Sequence, residues 1–424
     1  MKSIFYFLFI FCIVASCSNN SHSLKLIEAD PDNAGLKLPE GFSALVVADN
    51  IGRARHIQVN SQGDIYVSLN RLNEGGGIAC LRDSSGNGRA DVVKYFGDYH
   101  GTGIKLYGDY LYFGADTVVV RYPLIYGALE PKNSPEIIVE GLPVNRQHAA
   151  KPIEFDGKGN LYLTVGAPSN ACMEQSRTKG SPGMDPCPLL ERHGGIWRFK
   201  ADVLNQKQEE DGYRYSTGIR HAVAINWNEK ENTLYGLQHG RDQLHQFFPE
   251  LYDQKQGAGL PSEEFLLIEE GSDFGWPYCY YDQTVNKKVL APEYGGNGEE
   301  LGRCAAKDDP IMGFPGHIAP NDLLFYTGDM FPERYKNGAF IAFHGSWNRA
   351  PEVQEGYYVV FVPFEGKIPS GDWEIFADGF DGKKEVKSPR DAEHRPCGLA
   401  QGPDGSLYIT DSVKGRIWRI MYNK

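Results

Sequence analysis

RPCGLAQGPDGSLYITDSVKGRIWRI, residues 395–420, holds the repeating unit of the chain. Arg395 stands first. An apolar run follows, then the turn PDG, a second apolar run, another turn and a third run, RIWRI. Residues 144–166, VNRQHAAKPIEFDGKGNLYLTVG, repeat this order. There Ile153, Phe155, Leu161, Leu163 and Val165 are apolar at alternate positions, and DGKGN breaks them. Period-two alternation punctuated by Gly, Asp and Asn reads as strand, turn, strand. GGIWRFK, residues 194–200, is the third strand of that unit.

Four more units have the same form. From Arg55, RHIQVNSQGDIYVSL leads to GGIACLRD, and from His100, HGTGIKLYGDYLYFG leads to TVVVRYP. From Arg220, RHAVAINWNEKENTLYGL leads to DQLHQFFP. From His317, a longer unit with insertions leads to GYYVVFVPF. Fourth strands are expected at DVVKYFG, PEIIVEGL, GYRYSTGI, EEFLLIEEG and DWEIFADGF. The last unit reaches the C-terminus without one, while GFSALVVADNI, residues 41–51, precedes the first unit unmatched. Circular closure accounts for both. The expected fold is all-β: a six-bladed β-propeller over residues 39–424 whose N-terminal strand completes the last blade. A solenoid or sandwich leaves the unmatched strands unexplained.

The first residues point to export. MKSIFYFLFIFCIVASC has Lys2 and an apolar run from Ile4 to Ala15, too short to span a membrane. The small residues before Cys17 resemble a bacterial lipobox. Residues 1–16 are therefore expected to be a lipoprotein signal peptide. Cys17 is expected to be the lipidated first residue, and residues 17–38 a tether. This implies a periplasmic protein, held to a bacterial membrane, the outer one by sorting of Ser18, through its lipid alone. The net charge of −12 argues against a nucleic-acid partner.

Beyond Cys17 stand Cys80, Cys172, Cys187, Cys279, Cys304 and Cys397. An even number in an exported chain suggests disulfides. Cys172–Cys187 and Cys279–Cys304 are the local pairs, which leaves Cys80 for Cys397 if the first and last blades meet.

The first strand of each blade lines the central channel, and the residue at its entry faces one mouth. The entries are Arg55 or His56, His100, His148, Arg220 or His221, His317 and Arg395. Converging like charges are costly unless an anion binds among them. The planar fork of Arg suits carboxylates, so the expected ligand is anionic, compact and planar. Two arginines in the ring argue against a histidine-bound transition metal.

These residues carry a resemblance. TGIRHAVAINW, GLQHGRDQL, GSDFGWPY, LLFYTGDMFPERYKNGAFIAFHGSWNR and HRPCGLAQGPDGSLYITD resemble segments of the PQQ-dependent sugar dehydrogenases, in the L-sorbosone and pyranose dehydrogenase branch. The resemblance runs from residue 38 to the C-terminus. It implies a propeller that holds pyrroloquinoline quinone (PQQ) on its axis and oxidises a sugar or a related alcohol or aldehyde. His148 would be the general base while hydride passes to the quinone. Imidazole suits that task because it titrates near neutrality. Arg220 and Arg395 would grip the cofactor, with Arg55, His100, His221, His317, His344 and Arg349 as further candidates. Ca²⁺ would be bound by the main-chain carbonyls of His239 and Gly240, since hard oxygen ligands suit it. Asp242 reads better as a turn-stabilising carboxylate, and Trp347 as either a pocket wall or packing.

Three positions depart from the soluble glucose dehydrogenases. His221 replaces an Asn, Ala167 replaces the Asp that orients the base, and Thr327 stands near a cofactor-contacting Lys. Something other than residue 167's side chain must then fix the His148 tautomer. No CxxCH haem motif is present, so the electron acceptor would be a separate partner. DSSGNGRAD, residues 83–91, reads as a hairpin turn rather than a calcium loop. The loop between Cys172 and Cys187 is expected to roof the mouth. GSDFGWPY is expected to pack as a strand on blade four. The competing functions are a calcium-dependent lactonase-type propeller, which the basic entries disfavour, and a non-enzymatic carbohydrate-binding propeller.

Overall fold

Six antiparallel sheets, each built on four strands, follow one another along the chain. The structure is a computed structural model that describes residues 27–383 and 385–423. The expected signal peptide, Cys17 and the first part of the expected tether lie outside the described residues. Blade one runs from Ala54–Val59 through Ile65–Asn73 and Gly76–Arg82 to Val92–Phe96. Blades two, three, four and five begin at Gly101–Tyr107, Ile153–Phe155, Ala222–Asn228 and Pro320–Phe325.

Blade six is closed by the other end of the chain. Its strands Pro396–Gln401, Leu407–Asp411 and Ile417–Tyr422 are joined by Phe42–Ala48, with Phe42 opposite Tyr422 and Ala44 opposite Ile420. The closing strand is locked by its first side chain. Phe42 is buried edge-on against Phe331, Tyr335 and Phe376 at 4.9, 5.3 and 5.0 Å. Phe331 and Tyr335 come from the FYTGDMFPERY excursion of blade five, so that segment serves closure.

Each junction between neighbouring blades has its own apolar cluster, because the alternating strands bury side chains on both faces. Cys80 lies in the junction of blades one and two. Cys397 lies on the innermost strand of blade six, 3.6 Å from Asn321 Nδ2. Both are free thiols, against the expected Cys80–Cys397 bridge. Closure does bring blades one and six together, but Cys80 faces blade two, away from that seam. Burial pushes its thiol pKa up to about 12. The pairs Cys172–Cys187 and Cys279–Cys304 form as expected.

Blade four differs from its sequence reading. EEFLLIEEG supplies the third strand, Glu263–Ile268, and the fourth is Met312–Phe314, beyond a long excursion. DQLHQFFP forms a helical turn, Leu244–Phe247, whose buried Leu244 and Phe247 are spaced for a helix rather than a strand. GSDFGWPY is not a strand. Its Phe274 fills the junction of blades three and four, and Trp276 Nε1 donates to the Asn170 carbonyl at 3.0 Å. DSSGNGRAD is the turn between the third and fourth strands of blade one. The Asp83 carboxylate accepts the main-chain N–H groups of Ser85, Gly86, Asn87 and Gly88, which leaves it saturated as a turn former. Among the described residues no helix is long and apolar enough to cross a membrane.

Candidate active site

The entries to the first strands open on one face, as do the exits of the second strands. Two neighbouring cavities occupy that mouth. One, of about 300 Å³, is lined by His148, Arg177, Arg220, His221, His239, Gly240, Asp242, Glu263, His317, Trp347 and Asn348 among others. The second, of about 370 Å³, is lined by Arg53, Arg55, Asn70, His344, Arg390, Arg395 and Ser412 among others. They are close enough that Arg55 of the second helps depress the pKa of His239 in the first.

His148 occupies a left-handed backbone conformation, φ 57°, which a non-glycine residue adopts only when its surroundings enforce it. Its Nδ1 lies 2.5 Å from the Ala167 carbonyl oxygen. A carbonyl only accepts, so Nδ1 carries the proton and Nε2 carries the lone pair. The missing Asp at position 167 is thus replaced by that residue's main chain. Nε2 makes no hydrogen bond with any described residue. Burial and then the Arg220 charge hold the His148 pKa down at about 3, so the ring is neutral at physiological pH. His221 stacks on it at 4.5 Å with planes 23° apart, and His239 meets His221 edge-on at 5.1 Å. Gly166 lies under this stack, where a Cβ would stand 2.8 Å from His148 Cβ and 2.7 Å from His221 Nδ1.

Asp242 organises the first cavity. It accepts from Arg220 at 3.0 Å, from Arg177 at 2.7 Å and from Asn348 at 2.8 Å. The Arg220 and Arg177 guanidinium groups hold its carboxyl well below the usual range against the opposing cost of burial. The carboxylate is structural, as its turn position implied. Arg220 is fully engaged: it also donates to the Asn170 carbonyl and Oδ1 and to the Gly240 carbonyl at 2.8 Å. Glu263 accepts from the Gly240 N–H, and burial raises its pKa to about 8. Arg177, on the disulfide-closed loop, reaches over the cavity as the expected roof.

The basic entries do not form one ring. Five blades send groups to the two cavities. Blade two does not: His100 is exposed beside Asp116, 3.9 Å away, and lines neither cavity. His56 turns inward to the Asn321 carbonyl at 2.7 Å, a structural bond between blades. His317 lines the first cavity but spends Nε2 on the Gly257 and Leu260 carbonyls. Arg349 lines neither cavity. It donates to the carbonyls of Val353, Ala258 and Gly316 and pairs with Glu355 at 2.9 Å, a loop anchor. His344 lines the second cavity and bonds the Ser412 hydroxyl at 2.6 Å. Arg395 spends Nε and Nη2 on the His344 and Gly345 carbonyls. Thr327 lies on the face opposite the mouth, its N–H on Gln401, so no cofactor contact arises there. Trp347 lines the first cavity at 55% exposure, so it is a pocket wall rather than packing.

Sequence reading missed Arg53, Arg177, Glu263, Asn348 and Arg390. Arg53 and Arg390 stand two and five residues before strand-entry arginines, and only that proximity could have flagged them. Arg177 and Asn348 reach the mouth from loops, and Glu263 from the start of blade four's third strand, none of which the repeat aligns.

Fold and site together define a class, the six-bladed propellers of the PQQ-dependent sugar dehydrogenase type, on the pyranose dehydrogenase side. Within it the chain belongs to the TrAA12-like family, whose model matches residues 36–423. It is 25% identical over 423 residues to an uncharacterised protein of Borreliella burgdorferi, covering 94% of both chains. A PQQ-dependent pyranose dehydrogenase of Coprinopsis cinerea is 26% identical over 236 residues, spanning 49% of this chain and 30% of that longer protein. The holo PQQ domain of the C. cinerea enzyme superposes with a TM-score of 0.71 at 19% identity, covering 91% of this chain and 97% of that one. A calcium structure of a Trichoderma reesei AA12 enzyme gives 0.74 at 17% identity, over 92% and 97%.

Proposed function

We propose that the chain is an exported PQQ- and calcium-dependent dehydrogenase that oxidises a sugar or a related alcohol or aldehyde, with His148 as general base. The observation that carries this is the His148–Ala167 bond, which leaves an unprotonated Nε2 at a strongly basic mouth. Arg55 and Arg395 make no ion pair with any described residue and keep N–H groups unspent, so the second cavity suits a polycarboxylate. They would hold PQQ carboxylates, with His344 beside them. The His239 and Gly240 carbonyls offer oxygen donors of the kind Ca²⁺ takes. Both already face Arg220 Nη1, at 3.4 and 2.8 Å, so an ion there would use their second lone pairs. When bound, PQQ supplies the two-electron acceptor and Ca²⁺ a Lewis acid beside it.

The chain's own work is positional. Nε2 of His148 takes the proton of a sugar hydroxyl, and the Ala167 carbonyl holds the imidazolium that forms. Asn348 Oδ1, in the same cavity, is buried without a partner among the described residues and can accept from a second hydroxyl. Arg177 and its loop limit water access. Export and lipidation at Cys17 rest on residues 1–17 alone. The electron acceptor is a separate partner.

Titration of the protein with PQQ and Ca²⁺, followed by absorbance and melting temperature, tests the cofactor assignment. An artificial acceptor with a panel of sugars then tests turnover. His148→Ala should lower kcat by at least about a hundredfold while PQQ uptake persists. Turnover of lactones without PQQ would favour the lactonase reading. Sugar binding indifferent to PQQ would favour the carbohydrate-binding one.

A further inference from the structure

The second cavity has two tiers of arginine. Arg55 and Arg395 are half-buried, while Arg53 and Arg390 are exposed at its outer edge. Arg53 and Arg55 flank Ala54, where the first strand of blade one begins, and both line this cavity. Arg390 is presented by a firm turn, with the Ser388 N–H on the Asp391 carboxylate and the Asp391 N–H on the Ser388 carbonyl.

Among the described residues no carboxylate lines this cavity. Neither outer guanidinium makes a hydrogen bond or an ion pair with any described residue. Arg177 and Arg220 across the mouth are tied to Asp242. In a chain of net charge −12, two unspent forks at one cavity edge are an anion receptor awaiting its ligand. The cofactor's carboxylates fall to the inner tier.

We propose that Arg53 and Arg390 form an outer subsite for an oxyanion on the substrate itself. The preferred substrates are then acidic sugars carrying a carboxylate, sulfate or phosphate, rather than neutral pyranoses. This rests on the dehydrogenase reading. The sugar ring spans the mouth, its reacting hydroxyl toward His148 and its anionic group toward the outer arginines.

Calorimetric titration of the PQQ- and Ca²⁺-loaded protein with D-glucose, D-glucuronate, glucose 6-sulfate and glucose 6-phosphate tests it. At least one anionic sugar should bind about tenfold or more tightly than glucose, as a charge-assisted fork predicts. The winner assigns the oxyanion. The advantage should shrink with added salt and vanish in Arg53→Gln/Arg390→Gln, while that variant takes up PQQ as the parent does. Equal binding of all four sugars, or an advantage the double variant keeps, overturns the proposal. Loss of PQQ uptake in the double variant overturns it too, by giving both arginines to the cofactor. Should the double variant misfold, Arg390→Lys keeps the charge, loses the fork and should lose part of the advantage; an unchanged advantage in that variant also overturns the proposal. The same titration without PQQ separates the two readings. A parent that takes up no PQQ yet prefers the acidic sugar refutes the dehydrogenase and supports the subsite.

Discussion

His148 depends on what stands beneath it. Adding a methyl group at Gly166 would drive a Cβ to within 2.8 Å of His148 and 2.7 Å of His221, distances real side chains do not tolerate. Gly166→Ala should therefore part the imidazole stack. If His148 is the base, as proposed, a displacement of about 1 Å lowers kcat/KM by up to about a hundredfold, and the overpacking lowers stability by about 1–3 kcal/mol. Steady-state kinetics and denaturant unfolding measure the two effects, and unaltered kinetics would dissociate the stack from the base. The position of His148 was legible, because five of the six repeats begin with a residue that reaches the mouth. Its orienting partner was not. A main-chain carbonyl has no residue signature, so Ala167 read as a loss where the structure has a substitute. His100 and Arg349 misled for the complementary reason. Charge type is visible in sequence, but the direction of a side chain on a loop is not.

At the scale of elements, the closing strand is the test. Phe42 sits among Phe331, Tyr335, Phe376 and Tyr422 with ring centroids within 5.3 Å. Phe42→Ala removes the shared centre of that cluster and should cost about 3–5 kcal/mol, read as a lower denaturant midpoint at unchanged activity in the folded fraction. A cost below about 1 kcal/mol would mean that closure is held elsewhere. The repeat made five blades and the closure readable, since strands with turn residues between them keep a strict order. Blade four escaped because its third strand is followed by a long excursion before the fourth. The helical turn Leu244–Phe247 stood where the spacing predicted a strand. Periodicity over eight residues of DQLHQFFP does not separate the two when only Leu244 and Phe247 are core residues.

Over the whole molecule, buried histidines set the response to acid. His56, His148, His221, His239, His317 and His344 are all shifted down, with burial the leading cause. Unfolded, each titrates near 6.5. Between that value and the lowered folded value, about 3 for His148, the unfolded chain binds more protons than the native one. Stability is therefore fully present above about 6.5 and falls as pH drops toward 3. Glu263 acts oppositely: its pKa is raised to about 8, so the native state holds an extra proton between 4.5 and 8. Asp322 and Asp381 are raised by burial as well, but the six histidines outnumber these three carboxyls, and the melting temperature should be several degrees lower at pH 4.5 than at pH 7.5. His56→Gln, which retains a donor for the Asn321 carbonyl, should flatten that slope. A melting temperature that rises on acidification would contradict the argument.

The closing strand also gives the molecule a front and a back. Phe42–Ala48 runs toward the mouth, since Ala48 leads into blade one at Arg53. Phe42 thus begins at the far side, and Ile27 packs there within reach of Gly88, in the turn between the outer strands of blade one. Ile27, the first described residue, therefore sits at the back. His148 and the arginine cavity open on the opposite face, so the described N-terminal residues stay clear of the approach that the proposed substrate and electron acceptor would take.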